Sequence, residues 1–331
     1  INLRDFLIKK GHEVVQSLDD DDIDIILLTE PRKTSESSAF THIDIAKYIN
    51  YIKKDSVVIH RVNECDERKN TNYVNQYLIE ANKIADSTIF VSSWLQKLFL
   101  SQGMKKERSH VVLSGANKEI FNTNDVPKLK AGEKLGIVTH HWGSNWNKGF
   151  NIYSKLDNML DDEALKKRFS FTYIGNVPKN FRFNNSLVVK PLSGVTLAKE
   201  IKKHHIYLTA SLNEPSGNHH IEGAQCGLPL LYIESGGIPE YCENYGLSFS
   251  YKNFEENLNK ILDNYQIYLE KVKKYPLNSD IMCKNYLNII ENLFEDKHVI
   301  SKNRNIEFKP NPVDKFIFLF IRKISKLLKN I

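Results

Sequence analysis

Two glutamates eight positions apart, Glu214 and Glu222, bracket the turn Pro215-Ser216-Gly217-Asn218. An apolar, β-branched run over 205–209 precedes them, and a helical pattern opens at Asn218 and continues to about Gly227. Free backbone N–H groups of Ser216, Gly217, Asn218 and His219, together with the helix dipole, make an anion site suited to a diphosphate. On the helix, Glu222 lies about one turn inside, on the face that carries Asn218. The two carboxylates then reach different parts of one elongated ligand. The bland alternative is that Asn218 only caps the helix and Glu222 faces water.

Two more loops repeat this strand-to-helix pattern. Ser235-Gly236-Gly237 ends the next strand, and paired glycines allow close backbone approach to a ligand. In THHWGSNWNKGF (139–150), Lys148 stands at a helix entrance where its ammonium can meet a phosphate, and Gly149 removes a crowding side chain.

The elements that must position these loops alternate along the whole chain. Strands are expected over 23–29, 57–60, 88–91, 111–113, 135–139, 169–174, 187–189, 205–209 and 229–233. Helices are expected over 43–52, 71–85, 93–102, 148–160, 195–203, 218–227, 253–273 and 279–294. Such alternation predicts an α/β class with parallel sheets covered by helices. The polar stretch 122–134 (NTNDVPKLKAGEK) interrupts the rhythm and reads as a linker. The expected organisation is a first unit at 1–121, the linker 122–134, a second unit at 135–297 and a tail at 298–331.

Hydrophobic residues are 41% of the 331 and charged residues 26%, which excludes a disordered chain and supplies cores for two domains. The four cysteines (Cys65, Cys226, Cys242, Cys283) have no CxxC spacing, which fits a reducing compartment. The start INLRDFLIKK has no h-region of a signal peptide, and the longest purely apolar run, 316–321, is far short of the roughly 20 residues that span a bilayer. The net charge of +6 is concentrated: 298–331 holds eight basic and two acidic residues, leaving 38 of each sign in the other 297. A neutral body argues against nucleic acid as a partner.

The segment EPSGNHHIEGAQCGLP (214–229) resembles the EPxGxxxxEAxxxGxP signature of retaining GT-B glycosyltransferases of the glycosyltransferase family 4 type. The KG and GGIPE motifs follow the order of that family, and 89–121 is similar to the stretch that closes its first domain. The likeness extends over about 1–294. It implies two Rossmann-like domains facing across a cleft, a nucleotide-diphosphate sugar held mainly by the second, and an acceptor held mainly by the first. By the same likeness Glu214 binds donor-sugar hydroxyls near the reacting carbon, and Glu222 holds the ribose. Lys148 neutralises the diphosphate, helped by backbone N–H groups of Ser216, Gly217, Asn218, Gly236 and Gly237. Gly175-Asn176 and Pro191-Leu192 lie near the nucleobase. The implied chemistry is transfer with retention of configuration, with no bound metal and no cofactor beyond the donor substrate. His60 matches a histidine that such enzymes point at the donor sugar, and Arg61, Asn63, Asp66 and Arg68 in the same loop are candidates for acceptor or diphosphate.

Three departures stand against that pattern. The stretch HHWGSNWN just before the Lys148-Gly149 pair has no arginine, so His141 or Ser144 is expected to substitute, or Arg61 to reach across. Asn218-His219-His220 replaces apolar residues after the phosphate turn and suggests a distinct donor pocket. The chain opens inside the first helix of the pattern, which leaves the strand that would precede it outside the sequence. The histidine pairs 140–141, 204–205 and 219–220 lack metal-ligand spacing, and Asp19–Asp22 lacks that of a calcium loop.

In the tail, Phe316, Ile317, Phe320, Ile321, Ile324, Leu327, Leu328 and Ile331 share one helical face. Lys315, Arg322, Lys326 and Lys329 lie opposite, with Phe318 and Leu319 as apolar exceptions among them. This predicts contact with an anionic membrane surface through 315–331, the alternative being a helix docked on the first unit. The expected setting is the cytoplasmic face of a membrane, with a glycan or polyprenyl-linked acceptor in surface polysaccharide assembly. Two competing readings are a nucleotide-sugar epimerase and a non-catalytic donor-binding partner subunit.

Overall fold

The computed structural model describes residues 3–127, 129–130, 132–304 and 311–329. The first unit is a four-stranded parallel sheet of β1 (Ile25–Leu28), β2 (Val57–Val62), β3 (Ser87–Phe90) and β4 (Ser109–Val111), in the order β1-β2-β3-β4. The second is a six-stranded parallel sheet of β5 (Leu135–His141), β6 (Phe169–Gly175), β7 (Leu187–Val189), β8 (Ile206–Thr209), β9 (Leu230–Ile233) and β10 (Gly246–Phe249). Its order is β10-β9-β8-β5-β6-β7. Eight of these strands lie where apolar runs predict them, and β4 is shifted two residues early, sharing only Val111 with the expected 111–113. The tenth, β10 (GLSF), is a short edge strand that opens on glycine and gives no such run. The pattern over 253–273 resolves into two helices, Phe254–Asp263 and Tyr265–Val272, parted at Asn264.

Strand order in the second sheet reverses between β5 and β8. A doubly wound sheet opens a crevice at the carboxyl ends of the strands there, so the loops after β5 and β8 meet. Aromatic side chains set the core beneath them: Phe150, Tyr153, Phe171, Tyr173 and Tyr207 are all fully buried.

Strand alternation decides the first unit. Val58 of β2 packs with Ile26, Leu28, Ile45, Tyr48 and Ile49 on one face of the sheet, whereas Val57 and Ile59 pack with Tyr286, Leu293 and Ile300 on the other. The helices Ser279–Glu295 and Lys297–Asn303 therefore cover the first sheet, although the sequence reading assigned them to the second unit and the tail. Helical periodicity marks a face to be buried, but the same face fits either sheet. The returning chain is tied down where Ser279 N donates to Ala116 O at 2.8 Å and Ala116 bridges Asn278.

The tail helix Pro312–Lys329 docks on the first unit by its polar edge. Asp314 accepts from Lys47 Nζ at 2.8 Å and Tyr51 Oη at 3.2 Å, and Phe318 packs on the Tyr51 ring. Arg322 pairs with Asp21 at 2.9 Å and lies over the Tyr48 ring. Phe316, Ile317, Phe320, Ile321, Ile324 and Leu327 all remain exposed. No helix among the described residues is long and apolar enough to cross a membrane. The expectations for Lys326, Leu328, Lys329 and Ile331 lie outside the described residues and side chains, as do Lys128 and Ala131 of the linker reading.

Candidate active site

The loop after β5 and the loop after β8 are held together by backbone and glycine. Leu212 N donates to Asn147 O at 2.7 Å. Gly149 has φ +103°, and a Cβ there would lie 2.5 Å from Ala210 Cβ, so glycine is required by backbone conformation and by packing on the β8 loop. This differs from the expected reason, room for a phosphate. The close approach delivers Lys148 to Glu214, with Nζ 2.7 Å from Oε2. Glu214 is only 5% exposed. Burial pushes its carboxyl up, but the charges of Lys148 and Arg68 and the Lys148 hydrogen bond outweigh this and hold it below the usual carboxylate range.

Glu214 leads directly into the turn that opens the helix Asn218–Gln225. Among the described residues no acceptor takes the N–H of Ser216 or Gly217. Glu222, half-buried on that helix, meets His140 Nε2 at 2.9 Å, and His140 Nδ1 meets Tyr207 Oη at 2.9 Å.

The glycine pair works differently from expectation. Gly237 N–H is spent on Glu214 O at 2.8 Å, and a Cβ on Gly236 would lie 2.6 Å from Glu214 N and O. A Cβ on Gly237 would lie 2.2 Å from Pro215 O and 2.7 Å from Ser92 Oγ of the first unit. These glycines let the Glu214 backbone and the facing unit come close, and Gly237 has no N–H left for a diphosphate.

His219 and His220 form a buried floor under the turn 215–218 rather than an open pocket. Their Cε1 atoms would each lie 2.8 Å from a Cβ on Gly217. The His219 ring lies 4.5 Å from that of His141 and 4.9 Å from that of His220, and Thr209 Oγ1 meets His219 Nε2 at 2.7 Å. Burial drives all three rings towards neutrality, with His220 pushed down to about 3 and His141 and His219 well below the ordinary imidazole value, helped by the Lys148 charge. A neutral His141, bonded to Tyr153 Oη at 2.7 Å, cannot replace a missing arginine. Ser144 is half-buried in the loop after β5.

Nearby, Asn176 Nδ2 donates to Trp142 O at 2.8 Å, which fixes the β6 loop beside a Trp142 ring that is 75% exposed. A Cβ on Gly175 would strike His141 O at 1.9 Å. Leu192 is half-buried against the second core. Among the described residues no group of three or more His, Cys, Asp or Glu side chains could hold a metal ion.

The first unit faces this site through 60–69, where three sequence expectations are corrected. His60 is fully buried inside β2, which runs two residues further; Nδ1 lies 3.1 Å from Asn82 Nδ2, and burial pushes the ring down to about 3. It shares the face of Val58 and does not look into the cleft. Arg61, on the opposite face, donates from Nε to Tyr286 Oη at 3.1 Å instead of reaching across. Asp66 accepts the N–H groups of Tyr73, Val74 and Asn75 and the Thr71 hydroxyl, so it caps the helix Val74–Asn82. Asn63 is exposed at the end of β2.

The residue that does reach across is Arg68, on the short helix Asp66–Lys69, with Nε 2.9 Å from Glu214 Oε1. Its segment is held to the second unit by Asn147 Nδ2 on Arg68 O at 3.1 Å and Asn213 Nδ2 on Glu67 O at 3.2 Å. Sequence reasoning did not find these two asparagines. The signal available for Asn213 was only its place beside Glu214, at a turn where φ is +51°.

No protein-family model and no curated protein matches this sequence. Solved structures do. HepE of Anabaena in complex with UDP-glucose superposes with a TM-score of 0.63 at 13% identity, over 82% of this chain and 79% of that one. The catalytic domain of starch synthase IV from Arabidopsis thaliana, bound to ADP and acarbose, gives 0.62 at 12% identity, over 88% and 75%. Sucrose-phosphate synthase from Thermosynechococcus elongatus gives 0.56 at 15% identity, over 82% and 74%. At such identities the likeness establishes architecture: two facing parallel α/β units with Glu214 and Lys148 at the reversal point of the second sheet make this chain a GT-B fold.

Proposed function

We propose that the protein is a retaining, metal-independent glycosyltransferase of the family 4 type that moves a sugar from a nucleotide-diphosphate donor to a glycan or lipid-linked acceptor. The observation that carries this reading is the Lys148–Glu214 pair at the mouth of an unsatisfied helix N-terminus, on the strand-order reversal of a GT-B second unit. HepE and starch synthase IV hold UDP-glucose and ADP in the same fold, which supports a nucleotide-sugar donor.

In the reaction, the bond between the anomeric carbon and the diphosphate oxygen breaks with its electron pair staying on the diphosphate. An acceptor hydroxyl oxygen takes its place on the same face, and the hydroxyl proton passes to the departing diphosphate oxygen. Negative charge grows on the departing diphosphate, where Lys148 and the N–H groups of Ser216 and Gly217 stabilise it. Glu214 accepts from donor-sugar hydroxyls and Glu222 from the ribose, with the base beside Gly175, Asn176 and Leu192. His60 has no part, since its ring is sealed in the first unit.

The exposed apolar edge of the tail helix supports a place against an anionic membrane, at its cytoplasmic face, where a polyprenyl-linked acceptor in surface polysaccharide assembly would be met. The deciding experiment follows nucleotide release from UDP-, GDP- and ADP-sugars with the full chain and with Glu214→Gln. Release that depends on Glu214 and on an added acceptor supports transfer. Isomerised free donor would replace it with an epimerase, and binding without turnover with a partner subunit.

A further inference from the structure

We propose that Arg68, a residue of the first unit, is the second cation of the diphosphate site, and that Glu214 serves as its stand-in anion until the donor arrives. This rests on the donor reading above and adds to it where the second cation comes from.

Two cations converge on one carboxylate: Lys148 Nζ on Oε2 at 2.7 Å and Arg68 Nε on Oε1 at 2.9 Å. The Lys148 contact is an aligned hydrogen bond. The Arg68 contact is close in distance only, and among the described residues the buried Nε–H has no aligned acceptor. The other edge of the guanidinium is spent, since Nη1 donates to both Glu64 oxygens at 3.0 and 2.8 Å. Glu64 thus fixes the plane of the fork and leaves its Nε edge turned to Glu214. A planar fork matches two oxygens of a phosphate far better than one oblique carboxylate oxygen.

Placement is built in at the backbone as well. Asn147 immediately precedes Lys148, and Asn213 immediately precedes Glu214; each donates to a carbonyl of the segment that carries Arg68. The neighbours of the site's two charged residues therefore hold the third. A diphosphate entering beside Ser216 and Gly217 takes over both cations and releases the Glu214 carboxylate to the hydroxyls of the sugar. Charge neutralisation of the leaving group then needs both units in apposition, because one cation belongs to each.

The test titrates the full chain calorimetrically with UDP, GDP and ADP, and with the matching nucleosides. It compares wild type with Arg68→Gln, Arg68→Lys and the control Lys97→Gln, an exposed lysine of the first unit. Loss of a charge-assisted fork weakens diphosphate binding by roughly 10- to 100-fold in Arg68→Gln, less in Arg68→Lys, with nucleoside affinity unchanged. Lys97→Gln binds as wild type. Diphosphate affinity of Arg68→Gln within about twofold of wild type overturns the proposal, as does an equal loss for nucleoside, which would make Arg68 a packing residue between the units. A wild type that binds no nucleoside diphosphate overturns the donor reading itself.

Discussion

Glu240 of the second unit accepts the backbone N–H groups of Ser93 and Trp94 of the first, each at 2.8 Å. These are orphan donors at the start of the helix Ser93–Ser101, whose own cap Ser92 serves only Leu95. One unit thus caps a helix of the other. Glu240→Ala removes the cap and a charge that the helix dipole favours, so unfolding should become easier by about 1–2 kcal/mol, with Glu240→Gln losing less. Urea denaturation of both variants checks this, and an unchanged midpoint for the alanine variant would refute it.

Replacing Glu214 has opposite effects on binding and turnover. Glu214→Gln leaves Lys148 and Arg68 without their buried counter-ion, so nucleoside diphosphate should bind more tightly, by roughly tenfold, while sugar transfer falls at least about 100-fold. Titration and steady-state kinetics on one preparation separate the two. Weaker diphosphate binding would contradict the counter-ion role.

Gly149→Ala should cost about 1–3 kcal/mol of stability, because it combines a left-handed backbone with a contact of 2.5 Å to Ala210 Cβ. Gly143 is the control, since a Cβ there meets only Lys148 Cε at 3.8 Å. Comparable losses for the two alanine variants would sink the argument.

Stability should fall on acidification well before carboxylates protonate. His60 and His220 are fully buried, and burial pushes both rings down to about 3. Their folded values are depressed, so the unfolded chain takes up the protons first. The stabilisation is complete above about 6.5 and is lost as pH falls towards the folded value, by roughly 1.4 kcal/mol per pH unit for each ring. Glu214, also depressed, adds a loss of the same sign at lower pH. Urea unfolding between about pH 7 and pH 5 measures the slope, and His220→Leu should lower it by one ring's share. An identical slope in that variant would show that the proton goes elsewhere.

Phe316 and Phe320 are 70% and 55% exposed on the outer edge of the tail helix. Glu at both positions should abolish co-sedimentation with phosphatidylglycerol-containing vesicles while leaving thermal stability within about 0.5 kcal/mol of wild type. Undiminished vesicle binding would assign the contact to another surface.

Much of this architecture was legible because parallel strands buried on both faces leave apolar runs, and the loops carrying Lys148 and Glu214 each follow one. The destination of 279–295 was not, since its apolar face fits either sheet. His60 and Arg61 were misjudged for a shared reason. A run ending at His60 looks like a strand end, but β2 continues to Val62, so one side chain turns into the core and the next towards Tyr286. Arg68 carries no local mark of its partner, because that partner lies in the other unit. The tail was legible as amphipathic, whereas Phe318, an exception on the polar side, is the residue that docks on Tyr51.

The bridge between Ala116 and Asn278 constrains how this molecule can open. Among the described residues the chain crosses between units twice, outward between Val112 of the first core and Ala116 and Phe121 of the second, and homeward before Ser279, and the bridge fastens the two crossings to each other. Gly115 makes the fastening possible, since a Cβ there would lie 2.1 Å from Asn278 O. A single tether lets two bodies swivel and twist freely. Two tethers pinned side by side remove much of that freedom, which favours keeping Arg68 opposite Glu214.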